Sequence, residues 1–331
     1  MSTVVSMELA DAALEAAVGE SLRRVEAGLR AAAEAEEALL AQASRHLMDA
    51  GGKRFRATLV LLAGHFGNPD DPRIVPAAVA IELTHLATLY HDDVMDEADI
   101  RRGHPSANSR WDNTVAILTG DFLFARASQI LAGLGAEAIR IQADTFTQLV
   151  SGQIAETLGP QPGQDPLDHY LQVAQDKTGS LIATAGRFGS MFGGAPQEVI
   201  DRVARACRAI GVAFQLSDDI LDIVSESDQS GKTPGTDLRE GVRSLPVLHA
   251  LREPGMGSER LAELLHSTGL ADPDLHSEAL ALLRAHPAMD AARADLRHWA
   301  GAARDEITGL PAGSAKDALA ALCEFVAERT S

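Results

Sequence analysis

Two short acidic runs are the residues most able to do chemistry. One reads His91-Asp92-Asp93-Val94-Met95-Asp96-Glu97, the other Ser217-Asp218-Asp219-Ile220-Leu221-Asp222, and both contain DDxxD. On a helix the first and last aspartates of such a unit stand at i and i+4, one above the other, with the second rotated by about 100°. Three carboxylates then crowd one edge, where like charges repel and ask for a counter-charge. Hard divalent cations with oxygen ligands supply it, and Mg²⁺ in particular is held by a few carboxylates together with substrate phosphates. Each unit follows an apolar stretch, Ala77 to Leu89 and Ile210 to Phe214, so each acidic edge opens from a buried helix. One DDxxD alone is more often a solvated helix end; two in one chain point to a pair of metal-binding edges. The sequence has no HExxH, no Cys/His cluster and no EF-hand glycine after Asp92.

Basic residues come in short, separated clusters: Gly51-Gly52-Lys53-Arg54-Phe55-Arg56, Arg101-Arg102-Gly103, Lys177-Thr178 and Gly231-Lys232-Thr233. Each begins or ends a predicted helix. A glycine turn with Lys or Arg at a helix N-terminus offers backbone N–H groups, the helix dipole and side-chain charge to a phosphate. Any one cluster alone reads as solvated surface charge. Gly231-Lys232-Thr233 is not a P-loop, because that pattern needs glycine where the chain has Glu226, and no strand precedes it.

The elements that position these residues are helices. Of the 331 residues 46% are hydrophobic, only 4% are aromatic, and apolar positions recur at helical spacing. The pattern predicts an all-α protein with helices through 8–48, 53–66, 75–95, 113–133, 136–158, 167–192, 196–226, 244–252, 258–268, 275–306 and 313–329, some of them broken internally. The Ala/Glu-rich segment 31–40 reads as a solvated amphipathic helix. Without a long linker, the economical account is one helical domain, 1–331, a bundle whose distant segments share a core. The formal charge of −18 argues against non-specific attraction to nucleic acid or an anionic membrane, so an anionic ligand needs local basic clusters or metal ions. Cys207 and Cys323 lie in apolar helical patterns and fit a reducing cytoplasm. No export signal and no run of about 18 uninterrupted apolar residues is found, so no membrane span is expected.

The constellation resembles the trans-isoprenyl diphosphate synthases, or polyprenyl synthetases. GGKRFR at 51, HDDVMDEADIRRG at 91, GDFLFARA at 120, DKTGSL at 176, QLSDDILD at 215 and GKTPGTDLREGVRSLP at 231 carry it, in the family's order, across about residues 40–255. The resemblance implies the isoprenoid synthase fold, an all-α bundle around a central cavity, usually as a homodimer. It also implies condensation of an allylic diphosphate with isopentenyl diphosphate. Asp92, Asp93 and Asp96 on one wall and Asp218, Asp219 and Asp222 on the other would bind Mg²⁺, three ions with bound diphosphate. Arg101, Lys177 and Lys232 match the positions that hold the allylic diphosphate; Lys53, Arg56, His85 and Arg102 match those that hold isopentenyl diphosphate. Thr178 and Gln215 match positions whose oxygens lie near the developing carbocation. With Lys177 and Lys232 they form the expected catalytic set. Without the resemblance, His85 on its apolar helix is more often a core histidine than a ligand.

The chain departs from the family at Val242, where many members have lysine, and at Ala57, where proline is frequent. Arg243 is adjacent, but one residue along a helix points about 100° away. In the family, side chains upstream of the first acidic motif close the product tunnel. Here they are Thr84, Ala87 and Thr88, with no Phe or Tyr among them, and Tyr90 should turn off that face. A turn of about 5.4 Å is comparable with one isoprene unit, and the helix from Asp92 back to Pro76 offers about 24 Å of wall. The expected product is a long-chain all-trans polyprenyl diphosphate. Phe124, Ser128 and Leu131 are candidates for the floor. The alternatives are a short-chain geranylgeranyl or farnesyl diphosphate synthase, a class I terpene cyclase and a non-catalytic synthase subunit. The cyclase is disfavoured by the second DDxxD, and the subunit by the completeness of both charged sets.

Overall fold

The computed structural model describes residues 11–225, 234–252, 258–266 and 270–329. As the composition predicts, it is all-α; among the described residues the β structure is one two-stranded hairpin. The first helix, α1 (Ala12–Ala32), shows how the local sequence becomes packing. Asp11 caps it by accepting the N–H groups of Ala13 and Leu14 at 2.9 and 3.2 Å, satisfying donors that a helix start leaves open. Leu14, Val18, Leu22, Val25 and Leu29 recur at helical spacing and are buried, each worth about 2 kcal/mol.

The helix predicted through 8–48 is two helices, because the chain leaves α1 at Ala33 and re-enters at α2 (Ala38–Asp49). Arg126 donates to the carbonyls of Ala32 at 3.0 Å and Glu34 at 3.3 Å, taking acceptors that another helical turn would use. Segment 31–40 is therefore a corner and not one solvated helix. Then come α3 (Phe55–Gly64), α4 (Ile74–Met95), the strands β1 (Ile100–Arg101) and β2 (His104–Pro105), α5 (Ala107–Arg110), α6 (Asn113–Leu134) and α7 (Ala136–Leu158). The predicted helix at 167–192 carries an interruption: α8 (Pro166–Val173) runs into a π-helical segment (Ala174–Gly179) before α9 (Ser180–Phe192). After α10 (Gln197–Val224) follow α11 (Thr236–Glu240), α12 (Leu245–Arg252), α13 (Glu259–His266), α14 (Pro273–Arg284), α15 (Ala288–Thr308) and α16 (Ser314–Glu328). The helix predicted at 275–306 breaks between α14 and α15 at Pro287, which lacks an N–H and disfavours helical backbone before it.

The described residues fall into two compact units, each built from separated segments. The first lies within Met1–Thr147, Leu181–Cys207 and Gly309–Leu319. Its centre is α4, packed against α1, α3 and α6. Close approaches there need glycine: a Cβ on Gly28 would stand 2.7 Å from Val79, and one on Gly189 of α9 would stand 2.0 Å from the Val60 carbonyl of α3. The second unit lies within Gln148–Ser180, Arg208–Thr308 and Ala320–Ser331, where α12 packs on α15 and α8.

By length and composition α4 and α6 could each cross a membrane, a possibility that counting uninterrupted apolar residues misses. The apolar window of α4 is 72% buried within the protein, and that of α6 only 33%. The first is a core helix; the second keeps Ile117 and Leu118 exposed.

Candidate active site

Asp92 and Asp93 occupy the last turn of α4, and Asp96 is its C-cap. The carboxylates thus gather at the negative end of the helix dipole, where anions without a counter-charge destabilise the helix. Asp93 is fully buried, with Arg101 Nε donating to Oδ1 at 2.6 Å and Oδ2 left without a partner. Burial pushes its carboxyl above the ordinary value, against the pull of the Arg101 hydrogen bond. A buried, unpartnered carboxylate oxygen on an acidic helix end fits completion by a hard cation. Among the described residues no three His, Cys, Asp or Glu side chains form a ready metal cage.

Arg101 reaches Asp93 because the chain reverses immediately after it. Ile100 pairs with Pro105 and Arg101 with His104, leaving Arg102 and Gly103 as a two-residue turn with φ of 55° and 75°. Such a turn needs positive φ at both central residues, which glycine adopts freely and arginine does not. Arg102 is held there by its own side chain, whose Nη1 donates to the carbonyls of Leu47 at 2.8 Å and of Gly51. The end of α4 is fixed from the other side by His91, whose Nε2–H donates to Ile117 O at 3.1 Å. Gly120 makes this possible, since a Cβ there would lie 2.3 Å from His91 Nε2.

Two turns earlier on α4, His85 faces an arginine cluster. Leu47 and Met48 present carbonyls at the negative end of α2, and Arg102 and Arg54 bind them. Arg54, at φ 47°, also pairs with Glu26 at 2.5 Å. Gly52 leaves room for Arg102, whose Nη1 would be 3.0 Å from a Cβ at that position. Arg54 Nη1 and Arg56 Nε are buried without partners. Burial lowers the Arg56 pKa, Glu82 opposes that, and Arg102 adds to it. Glu82 is itself buried and accepts the Ala57 N–H at 3.0 Å. Burial first, then the charges of Arg56, Arg102, Arg54 and Arg101, hold His85 well below its ordinary pKa, so it is neutral at neutral pH. Buried guanidinium N–H groups without acceptors, beside a neutral imidazole, make a receptor for a multi-oxygen anion. Lys53 is exposed next to this cluster in the chain.

The second motif belongs to the second unit and is built around Asp219. Tyr170 Oη–H donates to its Oδ2 at 2.6 Å, the Leu245 N–H to the same oxygen at 2.9 Å, and Gln215 Nε2 to Oδ1 at 3.1 Å. Burial raises the Asp219 carboxyl while these donors lower it, and burial plus the neighbouring carboxylate raise Tyr170 well above its ordinary value. Thr178 Oγ1 donates to Gln215 Oε1 at 3.3 Å, so Thr178, Gln215, Asp219 and Tyr170 form one chain of hydrogen bonds. Asp222 accepts the N–H groups of Thr236 and Asp237 at 3.1 and 3.2 Å and secures the start of α11. Asp218 is exposed and pairs with Arg329. Three aspartates of one motif thus sit in three different settings, which their shared spacing does not reveal.

Lys177 and Thr178 lie on the π-helical segment, a rare geometry that occurs frequently at functional sites. Gly152 of α7 admits this segment, because a Cβ there would stand 2.7 Å from Lys177 N. Lys177 pairs with Glu156. Lys232 lies outside the described residues.

Of the candidate length-setting residues, Thr84 and Ala87 are buried and Thr88 is half-buried. Thr84 Oγ1 donates to Ala80 O at 2.9 Å and accepts Gln142 Nε2 at 2.7 Å. Tyr90 is buried and turned to α2, donating to Ala43 O and accepting the Leu47 N–H at 3.3 Å. On α6, Phe124 packs on Phe146 with ring centroids 4.1 Å apart, and Leu131 is buried.

Sequence reasoning passed over Glu82, Arg54, Tyr170 and Arg329. Glu82 had a signal, as a carboxylate inside the apolar run from Ala77 to Leu89, and Arg54 sits within the GGKRFR cluster. The roles of Tyr170 and Arg329 rest on contacts 49 and 111 residues away, which no local pattern encodes.

Residues 37–283 match the family described as polyprenyl synthetase. The chain is 49% identical over 330 residues to the nonaprenyl diphosphate synthase of Mycobacterium tuberculosis, covering 99% of this chain and 98% of that protein. A geranylgeranyl pyrophosphate synthase from Corynebacterium glutamicum, solved with calcium and isoprenyl diphosphate, superposes with a TM-score of 0.88 at 43% identity, covering 97% of this chain and 99% of the other. A decaprenyl diphosphate synthase from Rhodobacter capsulatus gives 0.85 at 32% identity, covering 96% and 98%.

Proposed function

Because the chain belongs to the polyprenyl synthetase family, we propose that it is a Mg²⁺-dependent prenyltransferase making a long-chain all-trans polyprenyl diphosphate. It would condense an allylic diphosphate with successive isopentenyl diphosphates. The observation that carries this reading is that α4 bears two different anion-handling devices about 10 Å apart along its axis. One is the acidic end at Asp92, Asp93 and Asp96; the other is the cluster of Arg56 and Arg102 around neutral His85. Two diphosphate substrates with different fates need that difference. The diphosphate that leaves must shed charge to metal, whereas the one that stays needs only cationic and hydrogen-bond anchors. The relative from Mycobacterium tuberculosis, named for a nine-unit product, supports the long-chain reading.

Asp92, Asp93, Asp96, Asp218, Asp219 and Asp222 would hold three ions together with the diphosphate, the hydrogen bonds received by Asp219 and Asp222 orienting the second motif. The ions, when bound, would neutralise charge on the departing diphosphate. Arg101, Lys177 and Lys232 would bind that group, and Lys53, Arg56, His85 and Arg102 the isopentenyl diphosphate. Cleavage of the allylic C–O bond leaves an allylic cation, which the isopentenyl double bond attacks. Loss of a proton to the released diphosphate completes the unit. Thr178 and Gln215 would place oxygen dipoles near the cation.

Replacing Ala87 or Thr88 by Phe should shorten the product by one or more isoprene units, read by mass spectrometry. An unchanged length in both variants contradicts the tunnel assignment. One observation favours a short-chain product instead: Thr84, one turn before Ala87 on α4, is fully buried and accepts a hydrogen bond from Gln142, so its side chain is packed within the protein.

Interleaving of both units along the sequence supports a single 1–331 domain. Cys207 and Cys323, buried free thiols, suit a cytoplasmic enzyme. A homodimer is supported by exposed apolar residues on two helices, Ile117 and Leu118 of α6 and Ile139, Val150, Ile154 and Leu158 of α7. Leu118→Glu with Ile154→Glu should convert a dimer to a monomer in sedimentation equilibrium. A dimer that survives both charges places the interface elsewhere.

A further inference from the structure

Arg329 is the last described residue, and its side chain meets Phe214, Ser217 and Asp218 on one face of α10. Its Nε donates to Ser217 Oγ at 2.5 Å, a second guanidinium nitrogen pairs with Asp218 Oδ1, and the guanidinium carbon lies 4.3 Å from the centroid of the Phe214 ring. Positions 214, 217 and 218 are i, i+3 and i+4 on a helix, so ring, hydroxyl and carboxylate present together. The Arg329 side chain is 13% exposed and that of Asp218 51%. Isolated surface pairs contribute little. A guanidinium stacked on an aromatic ring and bonded at two nitrogens is instead a built contact with a defined orientation.

Asp219 and Asp222 accept backbone and side-chain hydrogen bonds, so Asp218 is the member of the second motif that faces solvent. Its Oδ1 is occupied by Arg329. We propose that Arg329 is a built-in counter-cation of the second acidic motif: it holds the Asp218 oxygen that a divalent cation needs, so metal loading there and departure of Arg329 from Oδ1 are one event. Phe214 and Ser217 keep the displaced guanidinium within reach, so the exchange needs no unfolding of α16. The proposal rests on the metal-binding reading of Asp218.

The test is Mn²⁺ binding to the full chain without substrate, followed by electron paramagnetic resonance or calorimetry. Arg329→Met keeps an apolar side chain on Phe214 and removes the charge. It should bind Mn²⁺ about tenfold tighter than wild type, as expected for a unit charge removed from beside a divalent site in a largely aqueous setting. Arg329→Gln should tighten binding in the same direction and guards against a folding defect in the first variant, while Arg329→Lys should stay near wild type. Combined with Asp218→Asn, the effect of Arg329→Met should vanish. Unchanged or weaker Mn²⁺ binding in both neutral variants overturns the proposal, provided that Asp218→Asn alone weakens binding. If Asp218→Asn leaves binding unchanged, the metal-binding reading fails and the proposal fails with it.

Discussion

Replacing Asp92 by asparagine will lower kcat by about a thousandfold or more while leaving the affinity for isopentenyl diphosphate near wild type. Asp92 stands in the last turn of α4, where the amide of asparagine preserves shape and removes one negative charge. What is lost is the ability to hold a cation where the leaving diphosphate develops charge, a requirement of the transition state more than of binding. Asp93→Asn would be a less clean experiment. Asp93 is buried against Arg101, so neutralising it leaves a guanidinium without its carboxylate and costs stability as well as rate. Steady-state rates at saturating substrate, with calorimetric binding of isopentenyl diphosphate, check the prediction. A kcat within tenfold of wild type contradicts it.

The second large effect falls on the other device of α4. Arg102→Met will raise KM for isopentenyl diphosphate by about a hundredfold, the value of one or two charge-assisted hydrogen bonds in a partly buried site, and change KM for the allylic substrate far less. The arginine is held at positive φ in the hairpin turn, and its guanidinium is aimed by the carbonyls of Leu47 and Gly51. Lysine cannot reproduce that fork, so Arg102→Lys should recover only part of the loss. Initial rates with each substrate varied in turn separate the outcomes. Equal rises in both constants would mean that Arg102 supports the fold of the region and not one substrate.

Much of this was legible in the sequence, for identifiable reasons. The helix predicted at 75–95 is α4, and that at 196–226 is α10, because long apolar periods ending in acidic residues leave little ambiguity. The spacing of each DDxxD placed its first two aspartates in the last turns of those helices. Three features escaped because they depend on tertiary partners. The break after Ala33 is set by Arg126, far along the chain. The hairpin of two-residue strands turns at Arg102, whose side chain bonds to a carbonyl at the end of α2, and no strand pattern fits into two residues. The π-helical turn that carries Lys177 and Thr178 has the composition of an ordinary helix and depends on Gly152 to admit it. The same limit explains why Asp218, Asp219 and Asp222 looked equivalent: their differences lie in Arg329, Tyr170, Leu245 and Thr236.

The central claim is that the chain builds a long-chain polyprenyl diphosphate. It is tested most directly by the mass-resolved product profile of purified protein given Mg²⁺, isopentenyl diphosphate and a panel of allylic diphosphate primers. The account predicts a ladder that ends beyond the four-unit product and disappears when the metal is chelated. A ladder that stops at three or four units would contradict the long-chain assignment and point to the Thr84 and Gln142 contact as the floor. No elongation with any primer would contradict the enzymatic reading itself.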